Sequence, residues 1–253
     1  MDGIIIQART GSTRLANKIL LPFSGEERII DILLERIKAS CPGMPVVVAT
    51  TVRAQDEVLA RVAEEHGVFC FRGSEDDVLG RFIGAAECYG IDRLIRVCSD
   101  NPFLQTDTFP VFFREHDRLA GEAPDYLSYG FADGTPVIKS HLGLFSELTT
   151  LEALRRAARL TDAKLDHEHV TIYLYTHPAE FRVRLLPLPA ALEGRRDLRF
   201  TLDTPDDFAL LQQLYAEASA PGGGRDYETL LKLVEQHPDY RERMLRNIGL
   251  NEK

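Results

Sequence analysis

The sequence predicts a single α/β domain built on a mostly parallel central sheet with helices on both faces. Three observations carry that expectation. The chain has 253 residues, enough for one sizeable core and short for two full domains. Short apolar runs alternate with amphipathic stretches through the first hundred residues. The intervals between runs are long enough for the crossover helices that parallel strands require. Composition agrees, because 44% hydrophobic and 27% charged residues place the chain among ordinary globular proteins.

Taken in order, Ile4 to Gln7 reads as a buried strand and Ile29 to Ser40 as a helix, with Ile29, Ile32, Leu33, Arg36 and Ile37 at helical spacing. Val46 to Thr50 reads as a strand, Asp56 to His66 as a helix, and Val68 to Phe71 as a strand. Asp76 to Tyr89 is the next helix and Leu94 to Cys98 the next strand. From Pro124 to Leu144 the pattern weakens, because Gly130, Asp133-Gly134 and Pro136 punctuate it as in a loop or small hairpin. Residues 124–180 are therefore the expected inserted arm on one domain spanning 1–253. A helix from Leu148 to Leu160, a tyrosine-rich segment from Val170 to Tyr175 and a strand from Phe181 to Leu185 follow. Thr204 to Tyr215 reads as a helix whose first turn suits Pro205 and Asp206, and Pro221 to Gly224 as a flexible turn before the terminal helices.

The net charge of −9 and pI near 5.3 oppose broad capture of nucleic acid or an anionic membrane and leave room only for a small cationic pocket. Cys41, Cys70, Cys88 and Cys98 show no CxxC or Cys/His metal spacing and are read as reduced thiols. The amino terminus runs into an apolar strand without a basic leader or cleavage site, and no apolar run approaches the roughly 18 residues of a membrane span. The expected location is cytoplasmic.

After the first strand comes Ala8-Arg9-Thr10-Gly11-Ser12-Thr13-Arg14-Leu15-Ala16-Asn17-Lys18. In open parallel sheets, ligands gather outside the carboxyl ends of the strands, which is where this loop falls. Gly11 lets backbone approach an oxyanion, Ser12 and Thr13 offer hydroxyl donors, and Arg9, Arg14 and Lys18 can neutralise phosphate. A solvated loop whose cations pair with the chain's many carboxylates is the competing reading. The run matches neither GxGxxG nor GxxxxGK[ST], which argues against a dinucleotide-binding dehydrogenase and a P-loop ATPase.

Asp100 follows the strand ending at Cys98, and Asp203 follows the apolar-polar run Leu198 to Leu202. Two hard oxygen ligands from separate strand ends suit a magnesium ion that bridges phosphate oxygens. A turn residue before Asn101-Pro102 and a cap for the helix near Pro205 would explain them equally, and the residues alone leave both readings open. Ser74 with Asp77 is spaced as a capping-box variant, so Glu75, Asp76 and Asp77 are read as structural, and Asp207 as a helix-face residue. His167-Glu168-His169 lacks the one-turn spacing of HExxH, which argues against zinc and leaves a structural or substrate-proximal role.

The run IIIQARTGSTRLANK at residues 4–18 closely resembles the opening motif of the cytidylyltransferases that make CMP-activated acidic sugars, above all their spore-coat polysaccharide branch. The resemblance continues through FRGSEDDVLGRF at 71–82, RVCSDNP at 96–102, HEHVTIYLY at 167–175 and FTLDTPDDF at 200–208, so nearly the whole chain is covered. The family usually has Pro and Gly where this chain has Ala16 and Asn17. Asparagine tolerates a left-handed backbone better than any other non-glycine residue, so the turn is expected to survive.

The resemblance implies a Rossmann-like nucleotide-diphospho-sugar transferase fold and a Mg2+-dependent transfer of CMP from CTP to an acidic sugar or related small molecule. Arg9, Lys18 and Asp100 would be catalytic, and Asp100 and Asp203 would hold the metal. Nucleotide contacts would come from Ala8, Arg9, Thr10, Gly11, Ser12, Arg14 and Lys18, with Arg72, Gly73 and Ser74 near the nucleoside. Cys98 and Ser99 stand where the keto-deoxy-octulosonate branch has Gln-Gly. Glu168 and His169 fall on the acceptor side. His141 matches a sugar-side motif of the octulosonate branch, whereas another alignment matches Gly143 and Glu147 to the spore-coat branch, and both remain open. The family also implies a homodimer through residues 124–180, with Tyr126, Tyr129 and Phe131 as its apolar contact. Two rivals are a nucleotide-sugar glycosyltransferase and a non-catalytic nucleotide-binding relative. The first commonly uses Asp-x-Asp, and here Cys98 stands two residues before Asp100.

Overall fold

A computed structural model of the chain describes residues 1–119 and 121–251. Its strands are β1 (Asp2–Gln7), β2 (Pro22–Ser24), β3 (Glu27–Arg28), β4 (Val46–Thr51), β5 (Phe69–Gly73), β6 (Arg93–Cys98), β7 (Tyr126–Gly130), β8 (Glu147–Thr150) and β9 (Val183–Pro187). Its α-helices are α1 (Ile29–Ser40), α2 (Glu57–Glu65), α3 (Val78–Cys88), α4 (Phe109–Arg118), α5 (Leu151–Leu160), α6 (Lys164–Glu168), α7 (Ile172–Thr176), α8 (Pro205–Ala218), α9 (Tyr227–Gln236) and α10 (Pro238–Leu250).

Seven strands form one sheet in the order β5-β4-β1-β6-β8-β7-β9, and β2 with β3 forms a separate hairpin. The first four are mutually parallel, β8 runs antiparallel to both its neighbours, and β9 is again parallel to β7. The central strands are apolar at successive positions because both faces are covered. Ile4 and Ile6 pack with buried residues of α1, α2, α4, α8, α9 and α10, whereas Ile5 packs with those of α3, α5 and α7. Each of these isoleucines is fully buried, which stabilises the fold by about 1.5–3 kcal/mol apiece.

Register positions the site. Gln7 at the end of β1 lies opposite Ala49 of β4 and Cys98 of β6, and Gly73 at the end of β5 lies opposite Thr51. Four parallel strands thus release their following loops on one edge of the sheet.

The structure corrects the sequence reading in three places. Tyr126–Gly130, expected within a loop or small hairpin, is a strand of the central sheet. Tyr126 and Phe131 are buried, and Tyr129 packs against Phe112 and Phe145, so the aromatic residues expected to face a second copy belong to the core. The helix expected from Leu148 begins only at Leu151: residues 147–150 pair with β6, and the Thr150 hydroxyl then caps α5 by accepting from the Ala153 amide at 3.1 Å. Residues 198–202 form no strand. They are held by single bonds from the Phe200 amide to His141 carbonyl, 3.0 Å, and from the Leu202 amide to Asp100 carbonyl, 2.9 Å.

Candidate functional site

The loop after β1 closes on itself through the Thr10 carbonyl, which accepts from the amides of Ser12 at 2.8 Å and Asn17 at 3.1 Å. Asn17 adopts the left-handed conformation, φ 56° and ψ 21°, so the turn survives without the glycine usual in the resembling family. Thr10 does not face outward as a phosphate donor. Its amide and hydroxyl both donate to the buried carboxylate of Asp56, at 2.7 and 2.6 Å, and Asp56 also accepts from the Thr51 hydroxyl. Asp56 thereby pins the loop to the end of β4, a role that nothing in its own sequence context announces. The Ser12 hydroxyl accepts from the Leu15 amide at 3.4 Å, and Ala8 is buried against β4, its amide donating to the Ala49 carbonyl at 3.2 Å.

Four of the candidate residues converge. The Lys18 ammonium donates to Asp100 Oδ2 at 2.9 Å, Asp203 Oδ1 at 3.1 Å and the Leu202 carbonyl at 2.6 Å, which uses all three of its protons. Arg14 reaches the same Asp203 oxygen at 2.9 Å and also donates to the Asn251 side chain. Arg9 is half-exposed and stands 4.0 Å from Glu75. Burial pushes the Lys18 amine down, but Asp100 and Asp203 outweigh it and the net direction is up. Burial likewise pushes the Asp203 carboxyl up, and Lys18, Arg14 and Arg199 overcome it and hold it below the usual carboxylate range.

Behind Asp203 lies a buried ionic layer that sequence reading missed. Arg199, 1% exposed, donates from Nη2 to Asp203 Oδ2 at 3.0 Å and grips Asp207 through Nε and Nη2, both at 2.8 Å. Its Nη1 donates to His141 Nδ1 at 2.5 Å. Asp207 is therefore no plain helix-face residue. It completes a capping box with Thr204, accepts from the Asp203 amide at 3.0 Å, and receives the Asn247 amide of α10 at 3.0 Å.

Burial alone would raise the Asp207 carboxyl, but Arg199 holds it below its ordinary 3.8, as it helps to do for Asp203. Carboxylates depressed by folding stabilise the native state above their unfolded pKa, and that contribution disappears as pH falls through the folded value. Urea titrations from pH 7 downward should show stability falling below about pH 4, and Asp207→Asn should flatten that fall. An unchanged slope in the variant would show that the pair is not the titrating element.

The remaining candidates separate. Gly73 ends β5, with its carbonyl accepting from the Val52 amide at 3.0 Å, and Ser74 follows it. Arg72 is engaged elsewhere, donating to the Thr51 and Arg53 carbonyls at 3.1 and 2.9 Å and pairing with Glu57. Asp77, and not Ser74, caps α3, accepting from the Gly80 amide at 2.8 Å; its own amide donates to Ser74 Oγ, which is the half of the expected capping box that forms, and the helix starts at Val78 instead of Asp76. The Ser99 amide donates to the Gln7 carbonyl at 3.3 Å, which keeps the residues just after β6 beside the loop after β1. Cys98 is partly buried at the end of β6.

Glu147 is 1% exposed and accepts from Arg96 at 2.6 Å, Tyr126 at 2.6 Å and Thr171 at 3.0 Å, so it is a hub inside the sheet and not a surface that meets an acceptor. Next to Thr171, the buried Val170 has φ 52°, a left-handed conformation that a β-branched residue adopts only under tertiary constraint. The turn leaves Glu168 and His169 exposed, and His167 binds Asp77 at 2.7 Å. That bond sets α6 against the amino end of α3.

Among the described residues no group of three His, Cys, Asp or Glu side chains forms a closed metal cage, and no helix is long and apolar enough to cross a membrane. What the geometry offers is a cationic loop, two carboxylates on one edge, and a rigid ionic layer beneath them.

Comparison with known proteins gives a consistent answer. A family model described as cytidylyltransferase matches residues 3–243. The chain is 32% identical over 240 residues to the spore coat polysaccharide biosynthesis protein SpsF of Bacillus subtilis, covering 93% of this chain and 94% of that one. It is 39% identical over 210 residues to an uncharacterized protein of Methanocaldococcus jannaschii, 83% and 81% of the two chains. A solved cytidylyltransferase from Leptospira borgpetersenii serovar Hardjo-bovis superposes with a TM-score of 0.81 at 28% identity, covering 94% and 95%. The CMP:2-keto-3-deoxy-manno-octonic acid synthetase, solved in complex with CTP, shares the fold with a TM-score of 0.63 at 15% identity, covering 85% and 98%.

Proposed function

The chain belongs to the cytidylyltransferase family and is a CTP-dependent nucleotidyltransferase, and from that premise we propose that it transfers CMP to an acidic sugar or related small molecule in the synthesis of a surface polysaccharide or glycoconjugate precursor. The observation that supports this reading best is the convergence of Arg14, Lys18, Asp100 and Asp203 where β1 and β6 end. The polysaccharide setting accords with the Bacillus subtilis relative, a spore coat polysaccharide biosynthesis protein.

In the proposed reaction an acceptor oxygen attacks the α-phosphorus of CTP, the bond to the bridging oxygen breaks, and pyrophosphate leaves. Little covalent chemistry falls to the protein, so positioning and charge stabilisation dominate. Arg9 and Arg14 take charge developing on the leaving phosphates, with Lys18 beside the phosphate under attack. The backbone at Gly11 admits the triphosphate close to the loop, and the turn at Gly73 and Ser74 flanks the nucleoside.

Asp100 and Asp203 fit a divalent cation, because their carboxylates already converge on one positive charge, the Lys18 ammonium, which stands in for it. Magnesium held there would neutralise the α-phosphate and acidify the acceptor hydroxyl. In this reading Lys18 leaves the carboxylates for the phosphates when the nucleotide binds. Lys18→Met, which removes a charge about 3 Å from both carboxylates, should therefore tighten Mn2+ binding without nucleotide by at least about tenfold. Electron paramagnetic resonance titration of Mn2+ reads this directly, and equal affinities would remove the two aspartates from the metal assignment.

The function itself is tested by magnesium-dependent pyrophosphate release with each of the four nucleoside triphosphates, against acidic sugars and a metabolite extract. Release confined to CTP and dependent on an acceptor is the expected result. Release of CMP from a CMP-linked sugar, or of CDP from a CDP-linked sugar, would favour a glycosyl transferase instead.

A further inference from the structure

Residues 161–171 run from the end of α5 to the start of α7 as a strap with two fastenings. Thr171 makes the first: it is 1% exposed, and its hydroxyl lies 3.0 and 3.2 Å from the two Glu147 carboxylate oxygens. His167 makes the second, with Nδ1 2.7 Å from Asp77 Oδ1 and Nε2 3.0 Å from the Thr161 carbonyl. Glu147 lies opposite Arg96 near the end of β6, and Asp77 heads α3 just past the end of β5. The strap therefore crosses the same edge of the sheet that carries the convergent Lys18, Asp100 and Asp203.

The two fastenings differ in kind. Glu147 is buried and also held by Arg96 and Tyr126, so the Thr171 end is fixed. α6 has no buried residue, and its Leu165 is 56% exposed, so it rests on α3 without an apolar seat and is held by polar contacts. Both His167 nitrogens face acceptors. A neutral ring has one N–H and satisfies one of them, whereas imidazolium donates to both. The hydrogen bond to Asp77, and after it the one to the Thr161 carbonyl, raise the imidazole above its ordinary 6.5, and Asp162 in the turn before α6 adds to them. On α6 itself Lys164 and Glu168 are exposed, and Asp166 accepts from the Thr161 hydroxyl at 2.7 Å. α3 contributes Arg81, whose charge falls on the same Asp77, and the turn ahead of it Glu75 and Asp76. Between the fastenings stands Val170, fully buried at φ 52°, a strained conformation for a β-branched residue.

We propose that residues 161–171 form a strap over the acceptor side of the reaction edge, hinged at Val170 and latched where protonated His167 meets Asp77, so that loss of one proton from His167 loosens the strap. That the strap guards the acceptor side rests on the transferase reading above, whereas the latch is a property of the fold alone. Deprotonation leaves the ring with one donor for two acceptors, and the strain at Val170 favours release. A histidine raised by folding contributes its stability in full below 6.5, and the contribution is lost as pH rises through the folded value. The latch is thus closed in mildly acid solution and opens on the alkaline side. Glu168 and His169, exposed between latch and hinge, move with it.

Amide hydrogen exchange of the full chain without substrate, corrected for intrinsic rates, tests the latch at about pH 6 and about pH 9. Peptides covering 163–170 are expected to exchange about three- to fivefold faster at the higher pH, the worth of one partly exposed ion pair, while β1 and β6 stay unchanged. His167→Gln should exchange at the faster rate in both. Wild-type rates across 163–170 that do not change with pH overturn the latch without any variant, and parallel loosening of β1 and β6 overturns it by showing general unfolding. The acceptor side is read by pyrophosphate release from CTP with a limiting amount of metabolite extract. The wild-type rate should exceed that of His167→Gln about three- to fivefold at the lower pH and match it at the higher, and the ratio cancels any pH dependence the two share. A ratio that stays constant overturns the role at the acceptor side. No release from wild-type protein would refute the transferase reading and with it the acceptor side of the proposal, while the exchange result decides the latch.

Discussion

Asp100→Asn is expected to lower kcat for pyrophosphate release by two to three orders of magnitude, on the order of the loss seen when one preorganised electrostatic contact to a transition state is removed. The substitution preserves shape and takes away one negative charge. Asp100 is only partly buried, its side chain is bonded to Lys18, and its carbonyl, which receives the Leu202 amide, is untouched. The melting temperature should therefore stay within a few degrees. The KM for CTP should change little, because Arg9, Arg14 and the loop backbone are intact. A variant that turns over at the wild-type rate would remove Asp100 from the reaction and with it the two-carboxylate site.

Arg199→Met is expected to produce the largest loss of stability, about 3–5 kcal/mol, because it strands Asp203 and Asp207 in a buried layer without their shared cation. Asp207 would keep the Asn247 amide and the backbone amides of Asp203 and Thr204, which places the loss toward the lower end. Arg199→Met combined with Asp207→Asn should recover part of it, since the second change removes the uncompensated charge. Urea unfolding of both variants measures this, and a single-variant cost below about 1 kcal/mol would show that the layer is not coupled. The loss should also lower activity even at temperatures where the variant is folded, because Arg199 orients Asp203.

The sequence disclosed the parts of this protein whose cause is local. The apolar runs of β1, β4 and β6 are buried on both faces and say so residue by residue. The segment at 8–18 was legible as a loop at a strand end because glycine and short polar residues interrupt the apolar run of β1 there. Asn17 was legible because only a few residues accept φ near +56°. What stayed hidden depends on partners distant in the chain. Thr10 looks like a phosphate donor until Asp56, 46 residues on, is found consuming both its donors. Asp207 looks like a helix-face residue until Arg199 and Asn247 close on it. β7 was obscured by the glycine and proline punctuation that follows at 130–136, and β8 by Leu148, which fits a helix start as well as a four-residue strand.

The last helix has a consequence for how the protein should be handled. Asn247 reaches Asp206 and Asp207, and Asn251 reaches Arg14. Residues 247–251 therefore act as a strut under the loop after β1, and Asn247→Ala combined with Asn251→Ala ought to lower activity at temperatures where the variant is still folded. Bound nucleotide, by withdrawing Arg14 from Asn251, should speed amide hydrogen exchange across 247–251 instead of slowing it, which makes exchange in that segment an inexpensive gauge of whether the loop is occupied.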